Sequence, residues 1–232
     1  MADRNSESNY KAIKRPAHLS LADIAYNGLV EAIINQEFQP GEALSIDSLA
    51  RQLNMSNTPV REALMRAHGE RLVTQKANYG FVVSELLTPE ELRQLFEVRR
   101  LLEIRALELA PLPLASAAVD NLRHLVAQML HAPDGAVYND YKDYLQLDHQ
   151  FHHQLVSLSD NSFLIKAWED LHVHLHLSRL YRGVGLFDRT DSAEEHRALL
   201  EALETDNREQ VINLMGQHIQ GVRDRVEKHF LT

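Results

Sequence analysis

Residues 49–64 read Leu-Ala-Arg-Gln-Leu-Asn-Met-Ser-Asn-Thr-Pro-Val-Arg-Glu-Ala-Leu, two short helical patterns separated by a tight polar connection. Ser45 is placed to cap the first, Ile46 to Leu53, with Ile46, Leu49, Ala50 and Leu53 inward. Asn54 to Asn57 make the connection. Thr58 is the expected N-cap of the second, and Pro59 suits its first turn, where a missing N–H is no loss. Upstream, a helix is expected from about Leu19 to Gln36, with Ile24, Leu29, Ile33 and Ile34 on one face and Pro40-Gly41 as the turn that ends the segment. Downstream, Leu72-Val73-Thr74 and Phe81-Val82-Val83 read as two short strands around Gln75–Gly80, with Asn78 and Gly80 at the tip of the hairpin.

Helix, helix, turn, helix and hairpin within about 65 residues is the plan of a winged helix-turn-helix. Such a unit places the start of its last helix in the major groove, where side chains reach base edges and the helix end and basic groups hold phosphates. Arg61 follows the expected N-cap by only three residues, where the helix dipole disfavours a cation. A phosphate partner explains that placement. The alternative is a winged helix used only for protein contact, with Arg61 and Arg66 as solvated charges.

The 232-residue chain carries a net charge of −9, which is unpromising for a nucleic-acid binder until its distribution is read. Residues 1–84 hold nine basic and nine acidic side chains, so the whole excess of acid lies in the second half. The neutral first half can still gather its basic groups on one face. There is no cysteine, which excludes disulfides, thiolate metal sites and cysteine nucleophiles. No apolar run approaches the roughly 18 residues needed to cross a bilayer. The first residues, MADRNSESNYKAIKRP, have no apolar core and read as a flexible arm, 1–18, not a secretory signal. A cytoplasmic location and no membrane partner are expected.

From Thr88 the pattern is helical almost to the end. Thr88-Pro89-Glu90-Glu91 combines a cap, a proline at the first helical position and acids at the positive helix end. That helix should run to about Ala110, with Leu92, Leu95, Val98 or Arg99, Leu102 and Ala106 along one side. Further helices are expected at about 115–131, 138–159, 161–181, 191–205 and 207–230. The fold class is therefore mostly α: a winged helix-turn-helix over 19–85, then an all-α bundle of about six helices over 88–232.

Polar residues interrupt the apolar stripes of this bundle. Asp148 and His152 share a face with Leu145 and Leu155; His196 lies with Leu199, Leu200 and Leu203; His218 lies with Val211, Leu214, Met215 and Val222. Three imidazoles and a carboxylate from three helices would suit a divalent cation such as zinc or nickel. Taken singly, a histidine on an apolar face is more often a hydrogen-bonded core residue. His149 and His153 are a rival pair at the same spacing, so spacing alone does not choose. His172, His174 and His176 read as partner- or solvent-facing, and His124, His131 and His229 as surface residues.

Leu49–Leu64, with Leu72-Val73 and Tyr79-Gly80-Phe81-Val82-Val83, closely resembles the GntR family of regulators. The resemblance implies that Thr58 and Arg61 contact double-stranded DNA and that a wing at Asn78–Gly80 assists. Arg51, Ser56, Asn57, Thr58, Arg61, Asn78, Tyr79 and Gly80 are the duplex-facing set. Three departures stand out: Asn57 where the family usually has Arg, Ala67 for a usual leucine, and Arg71 for the usual helix-ending glycine. Residues from about 92 to 224 resemble the FCD ligand-binding domain of the FadR subfamily, through Glu97-Val98-Arg99, Glu103, Asp148-x-x-Phe151-His152, Glu195-His196-Arg197 and His218. That likeness assigns Asp148, His152, His196 and His218 as ligands of zinc or nickel, with a small organic acid held beside the metal. Arg99 is either the partner of that carboxylate or one half of an ion pair with Glu103. The expected protein is a non-enzymatic homodimeric repressor on a pseudo-palindromic operator. A metal-dependent hydrolase fused to a DNA-binding head, and a regulator with a purely structural metal, are the alternatives.

Overall fold

The computed structural model describes residues 19–35, 37–77, 79–133, 138–180, 189–205 and 207–230, with side chains except at 138–142, 172–180 and 229–230. The expected N-terminal arm and the wing residue Asn78 lie outside the described residues, as do the side chains of His172, His174, His176 and His229.

The head is built from α1 (Leu21–Ile34), β1 (Ala43–Leu44), α2 (Ile46–Gln52), α3 (Asn57–Gly69), β2 (Val73–Lys76) and β3 (Gly80–Val83). Ser20 and Asp23 close α1 with a reciprocal capping box, a signal overlooked in the sequence. The buried face of α1 is Ala25, Leu29, Val30, Ile33 and Ile34, while Ile24, expected inward, is 43% exposed. Ser45 caps α2 as expected, accepting from the Ser48 N–H at 3.3 Å. Of the residues expected inward there, Leu49 and Ala50 are buried, while Ile46 and Leu53 are half-buried.

The start of α3 differs from expectation. Its N-cap is Ser56, so Asn57 opens the helix and Thr58 and Pro59 fall within the first turn. A proline within that first turn forfeits no intrahelical bond, so the helix can start two residues earlier. Pro59, Val60, Ala63, Leu64 and Ala67 form the buried face against α1. Where the chain leaves α3, Arg71 adopts φ 59°. This is the left-handed turn for which glycine is suited, filled here by a bulky residue. The expected two-stranded hairpin is one part of a three-stranded antiparallel sheet, order β1-β3-β2, with Leu44 opposite Phe81 and Val73 opposite Val83. A two-residue strand such as β1 leaves no alternation to read in a sequence.

The second unit comprises α4 (Pro89–Leu109), α5 (Ser116–His131), α6 (Tyr138–Ser157), α7 (Ser162–Leu180), α8 (Arg189–Glu204) and α9 (Arg208–Phe230), six helices within a few residues of expectation. Thr88 and Glu91 form the capping box of α4, with Pro89 at its start. α4 packs on α6, α7 and α9, α5 on α6 and α8, and α8 on α9. α1 of the head touches α6 of the bundle. On α4 the choice between positions 98 and 99 is resolved by burial: Arg99 is inside and Val98 is 43% exposed. A buried guanidinium needs partners, and the interior of the bundle supplies them.

Candidate metal centre and nucleic-acid interface

Three imidazoles converge at the middle of the bundle. His152 from α6, His196 from α8 and His218 from α9 are each at most 1% exposed. Their Nε2 atoms form a triangle with sides of 3.1 Å (His152–His196), 3.3 Å (His196–His218) and 3.2 Å (His218–His152). Ligand atoms about 2.05 Å from an ion stand about 3.3 Å apart at a tetrahedral angle and about 2.9 Å apart at a right angle. The triangle falls between those limits. Asp148, one helical turn before His152 and also buried, brings Oδ1 to 3.6 Å from His196 Nε2 and 3.8 Å from His152 Nε2. All four residues singled out in the sequence are thus brought together. His149 and His153 turn instead toward α7. The His149 ring stacks on Trp168 at 5.3 Å, and His153 faces Glu169 at 3.2 Å. His124 and His131 are exposed, as expected.

The proton inventory of the cage favours a cation. His152 Nδ1 lies 2.8 Å from Glu103 Oε2, and His218 Nδ1 lies 2.7 Å from Glu195 Oε2. A carboxylate accepts only, so both rings carry their proton on Nδ1 and turn a bare Nε2 lone pair inward. Two lone pairs 3.2 Å apart cannot bond to each other. Protonation does not relieve them. Burial and the neighbouring His218 and His152 hold His196 well below the usual imidazole range. Burial pushes His218 down to about 4, although the hydrogen bond with Glu195 acts in the opposite sense. At neutral pH His196 and His218 are therefore neutral nitrogen ligands, and with His152 and the carboxylate beside them they form the donor set of a borderline divalent cation.

Two buried networks brace the rings. Burial alone would raise the pKa of Glu103, but Arg99, His152 and the hydrogen bond from Trp168 outweigh it and hold the carboxyl well below its ordinary range. Arg99 Nε donates to Glu103 Oε1 at 2.8 Å, and the indole of Trp168 donates to the same oxygen at 2.9 Å. Glu195, which burial would also raise, is brought down to about 2 by His218 and Arg225. Arg225 grips it through two bonds of 2.8 and 2.9 Å. Arg99 thus makes the Glu103 ion pair weighed in the sequence, and its Nη2 also reaches 3.1 Å from His152 Nε2, the nitrogen that a cation would take. Glu195 stood in the sequence only as part of the Glu195-His196-Arg197 likeness, and its bond to His218 was not foreseen. Trp168 was missed, since a lone tryptophan offers no signal.

In the head, the exposed residues are Arg51 on α2, Ser56, Asn57, Thr58 and Arg61 at the start of α3, and Tyr79 and Gly80 at the wing. No side-chain hydrogen bond caps α3 among the described residues and its first turn holds no acid of its own, although Asp47 of α2 stands beside Asn57. Arg61 and Arg51 make no ion pair among the described residues. Arg66 is engaged by Asp23 and Glu70 and covers the Tyr26 ring at 3.8 Å. The Asn57 amide donates to Asp47 at 2.6 Å, which ties the helix start to α2.

Residues 21–83 match the family of bacterial regulatory proteins called gntR, and residues 94–221 match the FCD domain. The chain is 31% identical over 193 residues to the Nta operon transcriptional regulator of Aminobacter aminovorans, spanning 83% of this chain and 88% of that protein. It is 28% identical over 224 residues to the HTH-type transcriptional regulator LutR of Bacillus subtilis, spanning 85% and 97%. The solved structure of Escherichia coli McbR/YncC superposes with a TM-score of 0.69 at 24% identity, covering 92% of this chain and all of that one. At that identity the superposition speaks for the fold alone.

Proposed function

The chain belongs to the GntR family of DNA-binding transcription regulators, with an FCD domain behind its winged helix, and from that premise we propose that it is a homodimeric repressor released from its operator by a small organic acid bound beside a divalent metal. Asp148, His152, His196 and His218 would hold the ion, zinc or nickel. Bound there, the ion supplies a Lewis-acidic anchor for one end of an anion. The protein's own part is to exclude water, since these ligands are almost wholly buried, and to present Arg99, whose guanidinium fork matches a carboxylate.

The observation that carries this reading is the charge balance around Arg99. With a dication in place, the two guanidinium groups of Arg99 and Arg225 and the carboxylates of Glu103, Glu195 and Asp148 leave the buried assembly with one positive charge in excess. Arg99 Nη2 already stands 3.1 Å from a cage nitrogen. Uncompensated charge at such depth is costly. A monoanionic carboxylate bridging metal and guanidinium would neutralise it.

In the head, the exposed start of α3 and Arg61, which makes no ion pair among the described residues, support contact with a duplex, assisted by Tyr79 and Gly80 of the wing. Two heads on a two-fold axis fit a pseudo-palindromic site. The effector acts only to the extent that it binds the DNA-free form more tightly than the DNA-bound one. The test is fluorescence anisotropy on a duplex selected by the full chain from random sequence, titrated with small carboxylates with and without Zn²⁺ or Ni²⁺. Release that needs both metal and acid is expected. Operator affinity unchanged by every acid with metal present would refute effector control. One observation favours a structural metal instead: Arg99 already spends its Nε on Glu103. That reading predicts no acid binding to metal-loaded protein in calorimetry.

A further inference from the structure

The three cage rings are not held alike. His152 is backed by Glu103 and His218 by Glu195, at 2.8 and 2.7 Å. The buried Nδ1 of His196 has no hydrogen-bond partner among the described residues, and its ring is placed by Phe151 at a centroid distance of 4.6 Å. Two of the three ligands thus have orientation and tautomer fixed by a charged acceptor, and the third is set by packing. Glu103 is special in a second respect. Its Oε1 takes the indole N–H of Trp168 on α7 while its Oε2 takes His152. One carboxylate therefore joins a ring of the cage to the sole tryptophan of the chain.

We propose that Glu103 and Glu195 are the positioning residues of the metal centre, and that Glu103 relays occupancy of the cage to Trp168 and α7. This rests on the metal reading above. Each carboxylate makes its imidazole a better donor by drawing on the Nδ1 proton, and each stops the ring from flipping its bare nitrogen away from the centre. When a cation draws on His152 Nε2, the Nδ1 proton becomes more acidic and its bond to Glu103 tightens. The same carboxylate then accepts less strongly from the indole. Glu195 braces His218 and is gripped by Arg225 on the α8–α9 side of the cage, so the relay is assigned to Glu103.

The experiment is a titration of chelator-treated full-length protein with Zn²⁺, read both by calorimetry and by Trp168 emission. The variants are Glu103→Gln, Glu195→Gln and Glu169→Gln. Glu169 is a control of the same chemistry outside the cage, since it faces His153 at 3.2 Å. Affinity is expected to fall about 10- to 100-fold in E103Q and in E195Q, and to stay at the wild-type value in E169Q. At saturating metal the emission change should persist in E195Q and be lost in E103Q, a contrast that a merely structural role for Glu103 would not produce. Wild-type affinity in folded E103Q and E195Q would overturn the positioning role, and an unchanged emission response in E103Q would overturn the relay. E103Q strands the buried Arg99 cation, so the paired variant Arg99→Met/Glu103→Gln removes both charges if E103Q alone does not fold. Absence of Zn²⁺ binding by the wild type would instead defeat the metal reading itself, a result distinct from either failure above.

Discussion

Acidifying the metal-free protein should destabilise it well above the pH at which its carboxylates matter, and His218 gives the effect a minimum size. Burial holds its folded pKa at about 4, against an ordinary value of 6.5. The unfolded chain therefore binds a proton that the folded chain refuses between those two values, and stability rises with pH through that window. Below about pH 4 the full penalty applies, roughly 3 kcal/mol for an imidazole lowered from 6.5 to about 4. At pH 5 about 2 kcal/mol of it is already felt. His196, lowered in the same direction by burial, adds to the loss. Glu103 and Glu195 do not confuse the window. Their pKa values are depressed, so their contribution is present above about 4.5, the unfolded value, and is lost only as pH falls toward about 2 for Glu195. The assay is urea unfolding in the presence of chelator at pH 7.5, 6.5, 5.5 and 5.0, for wild type and for His218→Asn. The wild type should lose about 2 kcal/mol or more between the extremes, and the variant should show a slope smaller by about one proton. A wild-type midpoint flat across this range, or an equal slope in H218N, would refute the reasoning.

Arg61→Ala, at an exposed position without an ion pair among the described residues, should weaken operator binding by about 1–3 kcal/mol in anisotropy titrations; unchanged affinity would remove Arg61 from the interface. Thermal unfolding should leave that variant within about 0.5 kcal/mol of wild type. Arg71→Gly should stabilise the head by about 1 kcal/mol, since a bulky residue stands at φ 59°; a lower melting temperature would mean that the arginine side chain outweighs the strain. Zn²⁺ or Ni²⁺ at 100 times its dissociation constant should stabilise the chelated protein by about 2.7 kcal/mol in denaturant titrations, and His196→Ala should abolish the gain.

Most of the fold could be read from the sequence because its signals are local. Ser45, Thr88-Pro89-Glu90-Glu91 and the leucine stripes each specify one element from its own residues, and α2 and the six bundle helices follow them closely. The errors lie where a tertiary contact decides. β1 exists only because Ala43 and Leu44 pair with Val82 and Phe81. Position 98 or 99 on α4 could not be chosen from hydrophobicity, since valine is the apolar member, yet Arg99 goes inside to meet Glu103 and His152. For the cage, the apolar stripes placed each histidine inward, but only resemblance preferred His152 over His149. The physical reason is now visible: the α6 face at 149 and 153 meets Trp168 and Glu169 of α7, while the face at 148 and 152 meets α8 and α9. Glu195 and Trp168 act through partners 23 and 65 positions away in sequence, beyond any periodicity.

The route from cage to head is shorter than a two-domain description suggests. α4 begins at Pro89, six residues after β3 of the wing ends at Val83, and the same helix carries Arg99 and Glu103. Arg99 lies about 15 Å along the axis from the capped start of α4. That start is fixed by the reciprocal Thr88–Glu91 bonds, so a shift of the helix reaches the wing without a frayed turn to absorb it. A second route runs through α6, which bears Asp148 and His152 and touches α1. An anion that drew Arg99 toward a bound metal would pull on α4, and the metal would pull on α6. The two pulls need not move the head by the same amount. The proposed repressor requires only that their resultant differ between the DNA-bound and free dimers. Metal alone should therefore alter operator affinity less than metal with acid. If metal alone released the DNA completely, α6 would be the dominant lever and Arg99 a static counter-ion to Glu103.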